Sequence, residues 1–100
     1  MFFGILKIQM DSETLNELSY QHAVTICENI RTRFKVAAKP YQEKPTDVAL
    51  SIVVAMLSKT QDKMNRECDE ILNLIETKGL GRILNDVLLV DHIDSIEDEA

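Results

Sequence analysis

Ten residues in the middle of the chain, Val48-Ala-Leu-Ser-Ile-Val-Val-Ala-Met-Leu57, are apolar at every position except Ser51. A run this short and this rich in β-branched side chains predicts a strand, and apolar residues on both of its faces predict a central one. Successive side chains of a strand point to opposite faces. The face toward the helices is predicted to carry Ile52, Val54 and Met56. The opposite face is predicted to carry Val53, Ala55 and Leu57.

Three more strands and two helices are predicted around this run. Phe2 to Met10 alternates, with Phe2, Gly4, Leu6, Ile8 and Met10 toward the core. A helix is predicted from the caps at 11–14 to about Arg33, followed by a strand over 34–39 and a loop over 40–47. A second helix is predicted after the central run. It begins with a Ser58-Lys-Thr-Gln61 capping box and ends at Lys78-Gly79, and a last strand follows over 82–93.

The order strand, helix, strand, strand, helix, strand predicts an α+β fold, the ferredoxin-like βαββαβ sandwich. Right-handed crossovers place both helices on one face of a four-stranded antiparallel sheet, which leaves the other face open. A length of 100 residues suits one domain. We assign residues 1–93 to that domain and residues 94–100 to an acidic C-terminal tail.

Composition and charge restrict the expected cellular location of the protein and the classes of partner that it binds. Lys7 and Gln9 interrupt the apolar opening, so it is interpreted as a strand and not as a signal peptide, and no other run approaches the length of a membrane span. Cys27 and Cys68 lack metal-ligand spacing and fall on apolar helix positions, which predicts reduced core thiols. A net charge of −6 disfavours nonspecific binding to nucleic acid or anionic membrane. We expect a cytoplasmic protein with no membrane partner and no DNA specificity.

One segment departs from this acidic average. Residues 31–45 carry five basic side chains and one acidic one, a local net charge of +4, so the remainder carries −10. Such cations either contact RNA phosphates or serve the fold, by favouring a helix C-terminus and by discouraging sheet-to-sheet aggregation at an edge. The candidate RNA-binding residues are Arg31, Arg33, Lys35, Lys39 and Lys44.

The open sheet face is a second candidate surface. A contiguous apolar patch on a small domain usually marks an interface, so the prediction is homodimerisation or capture of a partner. The alternative is that the tail covers the face through Ile93 and Ile96. The candidate interface residues are Phe3, Ile5, Val53, Ala55 and Leu57, with one alternation of 87–90.

No pattern predicts catalysis, a metal or another cofactor. His22 and His92 each lack a suitably spaced second ligand, and the acidic clusters near 11–17 and 91–99 lack the spacing of a calcium loop. Gly79-Leu-Gly81 is too short for a phosphate loop. The expectation is a protein that is not an enzyme, with no catalytic residue, no metal site and no cofactor.

Three segments carry a family resemblance: Arg31-Thr-Arg-Phe34, Val53-Val-Ala-Met-Leu-Ser58, and the helical run from Met64 to Glu76. They resemble the YlxP-like family of small uncharacterised bacterial proteins, which is ferredoxin-like, has no assigned reaction and is often encoded beside translation and ribosome-maturation factors. The resemblance implies ribosomal RNA or a ribosome-associated protein as partner, contacted through the basic segment. The chain departs from the family pattern at 14–19 and 44–49, where the family's basic and aromatic groups are missing.

Overall fold

The computed structural model describes residues 1–10, 17–41, 50–78 and 82–92. Its elements follow the predicted order, which confirms the ferredoxin-like α+β fold. They are β1 (Phe2–Met10), α1 (Glu17–Arg33), β2 (Ala37–Tyr41), β3 (Leu50–Ser58), α2 (Gln61–Thr77) and β4 (Ile83–His92). Neither described helix is long and apolar enough to cross a membrane.

The apolar run at the centre of the sequence also lies at the centre of the sheet. The strand order is β2-β3-β1-β4, and each neighbouring pair is antiparallel. Leu6 of β1 lies opposite Val54 of β3, and Ile8 lies opposite Ile52. These four side chains are buried together on the helix side, so the predicted assignment of the two faces is confirmed for both central strands.

Both helices cover this same sheet face. Ile26, Cys27 and Ile30 of α1 and the buried stripe of α2 belong to one hydrophobic cluster with the inward residues of the sheet. The stripes recur at three- and four-residue steps, which is why an amphipathic helix fits flat on the sheet. The buried residues of α2 are Met64, Cys68, Ile71, Leu74 and Ile75.

The start of α2 differs from the prediction. Thr60 is the N-cap, and its hydroxyl accepts a hydrogen bond from the backbone N–H of Lys63 at 3.2 Å. Ser58 instead ends β3, because it pairs with Phe2 in the sheet. The third helical position is therefore a lysine, which has no acceptor to return the bond, and the predicted capping box does not form.

The strand β2 begins three residues later than predicted and includes Pro40 and Tyr41, which the sequence placed in a loop. Pairing with β3 overrides the local turn signal, since Pro40 lies opposite Ile52 in the sheet. Proline is tolerated there because β2 is an edge strand. Phe34 prolongs the helical turn instead, with its N–H donating to the carbonyl of Ile30 at 2.8 Å.

The two cysteines are buried and reduced, as predicted. Burial raises the pKa of the Cys27 thiol to about 11, although nearby Arg31 opposes the rise. Burial, with neighbouring carboxylates, raises the pKa of the Cys68 thiol to about 11 as well. Because the thiolate is the nucleophile, both side chains are unreactive core residues at neutral pH.

Candidate protein-interaction surface

The face of the sheet opposite the helices is the candidate surface, and we call it the open face. The strand registers arrange its residues in four rows that cross the sheet. From the β2 edge toward β4, the rows are Leu57, Phe3 and Asp91; Ala37, Ala55, Ile5 and Leu89; Lys39, Val53, Lys7 and Val87; and Tyr41, Ser51, Gln9 and Asn85.

The first two rows form an apolar half of the open face. Leu57 and Leu89 are 66% and 67% exposed, and Ile5 between them is 38% exposed. Phe3 and Ala55 are half-buried beside them. All but one of the interface residues predicted from the sequence therefore lie in this half, and Val53 follows in the third row. Leu89, predicted only as part of an alternation, completes the patch.

The last two rows form a polar half. The ammonium of Lys7 lies 5.7 Å from the centre of the Tyr41 ring, so its side chain reaches across β3. A cation over an aromatic face is attracted by the ring quadrupole. Ser51 lies between Gln9 and Tyr41 in the register and is only 6% exposed. This end of the open face is therefore already partly covered by its own side chains.

The predicted basic residues separate into two groups. Arg31 and Lys35 line a groove of about 530 Å³ together with Phe3, Ala55 and Leu57 of the apolar half. Arg31 also donates a hydrogen bond to the carbonyl of Ala38, which ties the end of α1 to β2. Lys39 lies in the third row of the open face. This side of the sheet thus combines apolar residues with cations along its β2 edge.

Arg33 does not join them. It lines a different groove, between the ends of the two helices, together with Phe34, Glu70 and Lys78. The reason is the helical turn of about 100° per residue, which points side chains two positions apart in nearly opposite directions. Lys44 lies outside the described residues. Three of the five predicted cations therefore adjoin the open face.

Among the described residues, no group of three or more His, Cys, Asp or Glu side chains is placed to hold a metal ion. Burial and the neighbouring Glu70 on the same helix raise the pKa of the Glu67 carboxyl. Both residues lie on α2, away from the open face. The candidate surface therefore consists of the apolar half and the cations along its β2 edge.

Sequence reasoning missed two contributors to this surface, Lys7 and Tyr41. The alternation of β1 predicts an outward Lys7 but no partner for it, and the two prolines predict a loop at Tyr41. The contact between them depends on the register of β2 against β3, in which Tyr41 lies opposite Ser51. The sequence signal that indicates a strand at Tyr41 is an aromatic residue directly after a short alternating segment.

Comparison with known proteins finds fold similarity alone. No family model matches the chain, and no curated protein matches it. The chain is similar to the de novo designed protein Foldit4, with 15% sequence identity, a TM-score of 0.51 and coverage of 90% of this chain and 92% of that one. It is also similar to the designed protein Ferredog-Diesel, at 11% identity and a TM-score of 0.43 over 90% of this chain and 84% of that one. At this identity, the likeness to Foldit4 supports the α+β fold and carries no function with it.

Proposed function

We propose that this protein is a non-enzymatic interaction module that self-associates through its open face. The observation that carries the proposal is the apolar half, where Ile5, Leu57 and Leu89 are exposed side by side on the two central strands and β4. Contiguous apolar area of this kind is uncommon on a monomer unless something binds there. A second copy offers the same area and gains the same burial.

Charge selects how two copies would face each other. The first row has Asp91 at its β4 edge, and Lys35 lies at the β2 edge of the same end. A two-fold axis parallel to the strands places β4 of one copy over β2 of the other and brings these opposite charges together. An axis across the strands would instead place each strand over its own copy, so that Asp91 at the β4 edge would not meet Lys35 at the β2 edge. In an isologous interface the favourable contact occurs twice.

The size of the face sets the strength of the dimer. Four strands about 5 Å apart and nine residues of about 3.3 Å each give a flat area of roughly 500 Å² per copy, allowing for the shorter β2. Stable interfaces bury about 800 Å² on each partner. We therefore expect weak, concentration-dependent self-association with a dissociation constant in the micromolar range or above.

Sedimentation velocity over protein concentrations from about 10 μM to about 1 mM tests the proposal. The sedimentation coefficient of the wild type should rise with concentration, and Leu89→Asp should raise the dimer dissociation constant at least about tenfold, because the interface would bury an unpaired carboxylate. Leu84→Asp is the matched control. It adds the same charge to an exposed leucine of β4, but at a bulge at the far end of the strand.

A wild type that sediments as a monomer throughout this range contradicts the proposal. Equal effects of the two aspartate variants would also contradict it, because the apolar half would then not be the contact. Circular dichroism of each variant confirms that the fold is retained.

RNA contact is a second candidate, favoured by the position of the cations. Lys39 and Lys7 share the third row of the open face, and Arg31 and Lys35 line the adjoining groove. Cations spread over one surface neutralise phosphates and release counterions. Tyr41 at the polar end would stack a base. This candidate retains the expectation of a ribosomal RNA partner that the family resemblance implies.

Its test is the binding of a fluorescent single-stranded RNA at low salt. Lys35→Glu with Lys39→Glu should weaken binding by more than about tenfold, and three lysine–phosphate contacts should give a log–log salt slope of about −2. The control pair Lys63→Glu and Lys78→Glu changes the net charge equally but lies on α2 and its C-cap. Equal losses in both pairs would mean that only overall charge matters, and the RNA candidate would fail.

A further inference from the structure

The segment that follows β4, Ile93-Asp-Ser-Ile-Glu-Asp-Glu-Ala100, combines two isoleucines with four acidic residues and has no basic one. Its composition complements the described surface, which is apolar in its first two rows and basic along its β2 edge. The match in charge and polarity between the segment and the surface holds at this end of the open face. At the opposite end, the fourth row is polar and presents Gln9 and Asn85.

The segment also starts at the correct end of the sheet. His92, the last residue of β4, lies opposite Phe2, and the two rings are 4.4 Å apart between centroids. The preceding residue, Asp91, belongs to the first row of the open face. Residue 93 is therefore the neighbour in sequence of the apolar half, while the polar half lies at the start of β4.

Chain length allows the segment to cross the sheet. From β4 to β2 there are three strand spacings, about 14 Å, whereas eight extended residues span up to about 26 Å. Asp94 and Ser95 favour a turn that would direct the chain back over the face. Ile96 is four residues beyond His92, a reach of about 13 Å, and Leu57 on β3 is about 10 Å from β4.

Such a path would bring the acidic residues to the basic edge. With Ile96 over Phe3 and Leu57, the next residues, 97–99, would be within reach of the groove lined by Arg31 and Lys35. Arg31 gives one N–H to the carbonyl of Ala38, and a guanidinium has five donors, so others remain for a carboxylate. Arginine–carboxylate pairs are among the stronger charge-assisted hydrogen bonds.

We propose that residues 93–100 bind across the apolar half of the open face of their own molecule and compete there with a second copy. The whole open face, roughly 500 Å², is small for a dimer, which loses translational and rotational freedom on association. A tethered segment avoids that cost, since its effective concentration is in the millimolar range. The inference deepens the proposed function: the segment sets the concentration at which the open face self-associates.

The direct test is a methyl nuclear Overhauser experiment on the full chain at low concentration. The wild type should show contacts from the Ile96 methyl groups to Leu57 and to the ring of Phe3. A mixture of differently labelled chains, recorded with isotope filtering, separates contacts within one molecule from contacts between two. Their absence, or their occurrence only between molecules, overturns the proposal.

Sedimentation of the full chain with Ile96→Ser provides the second readout. Loss of the apolar anchor should release the face and lower the dimer dissociation constant by about tenfold. Lys35→Glu should shift the Ile96 methyl signals toward their positions in the unanchored variant.

The two proposals fail in different ways. Methyl contacts in a wild type that stays monomeric over the tested concentrations would support binding of the segment and contradict self-association. Self-association with equal dissociation constants in wild type and Ile96→Ser, and with no methyl contacts, would support self-association through the open face. It would contradict binding of the segment to that face.

Discussion

Replacing Ile52 with alanine should lower the free energy of unfolding by about 3 kcal/mol, whereas Val53→Ala should cost less than about 1 kcal/mol. The two residues are neighbours on β3, but Ile52 is 0% exposed in the core and Val53 is half-buried on the open face. Truncating Ile52 removes buried methyl groups and leaves a cavity between the sheet and the helices. The carbon atoms lost from Val53 are already partly in contact with water.

Urea denaturation followed by circular dichroism measures both variants. The comparison is matched because both substitutions leave alanine on the same central strand, so the loss of β-propensity is shared. Similar costs at the two positions would mean that β3 is covered on both faces. That outcome would contradict an open face made by the described residues.

Gly4→Val should destabilise the protein by about 3 kcal/mol, near the upper end for overpacking of a core. A Cβ atom at this position would lie 2.5 Å from the sulfur of Met64 and 3.3 Å from a methyl group of Leu88. Met64 is itself 0% exposed, so its side chain would have to repack within the core to make room. Glycine fits here because the end of the Met64 side chain lies close against β1.

A double-mutant cycle with Met64→Ala tests this explanation. Each single variant is expected to be destabilised, and the double variant should be more stable than the sum of the two costs predicts by at least about 1 kcal/mol, because valine would fill the space that methionine leaves. Ala55→Val on the open face is the control and should change stability little. Simple additivity at Gly4 and Met64 would show that the contact is not the cause.

Much of the fold was accessible from local pattern. The alternation of β1 and β3 identified the buried face of each central strand, and the apolar helix positions of Cys27 and Cys68 identified both thiols as core residues. These predictions succeed because the twofold period of a strand and the 3.6-residue period of a helix are properties of the backbone itself. Burial then follows wherever the apolar residues match the period.

Element boundaries were less accessible, because there two local signals compete. Ser58 and Thr60 are both good N-caps by residue type, and pairing of Ser58 with Phe2 in the sheet leaves the cap to Thr60. Pro40 signals a loop, yet the edge position of β2 accepts it. In both cases pairing between strands that are distant in the sequence overrides the preference of the residue.

The interaction surface was accessible in part. Phe3, Ile5, Ala55 and Leu57 were predicted as one patch and lie in the same two rows of the open face. The cations were predicted as one group, yet α1 directs Arg33 to another groove and leaves Arg31 beside Lys35. The ribosomal partner implied by the family resemblance remains a prediction that only binding experiments test.

By itself the sequence determined the order of the elements, the inward side of each central strand and the acidic, partly apolar character of residues 93–100. The tertiary structure decided which of these features meet. It placed Leu89 beside Ile5, set Arg31 and Lys35 at the edge of that apolar half, and ended β4 one residue after Asp91 of the first row. The physical reason is that side-chain direction follows from local backbone geometry, whereas neighbours across a sheet depend on strand order and register, which pair segments far apart in the chain.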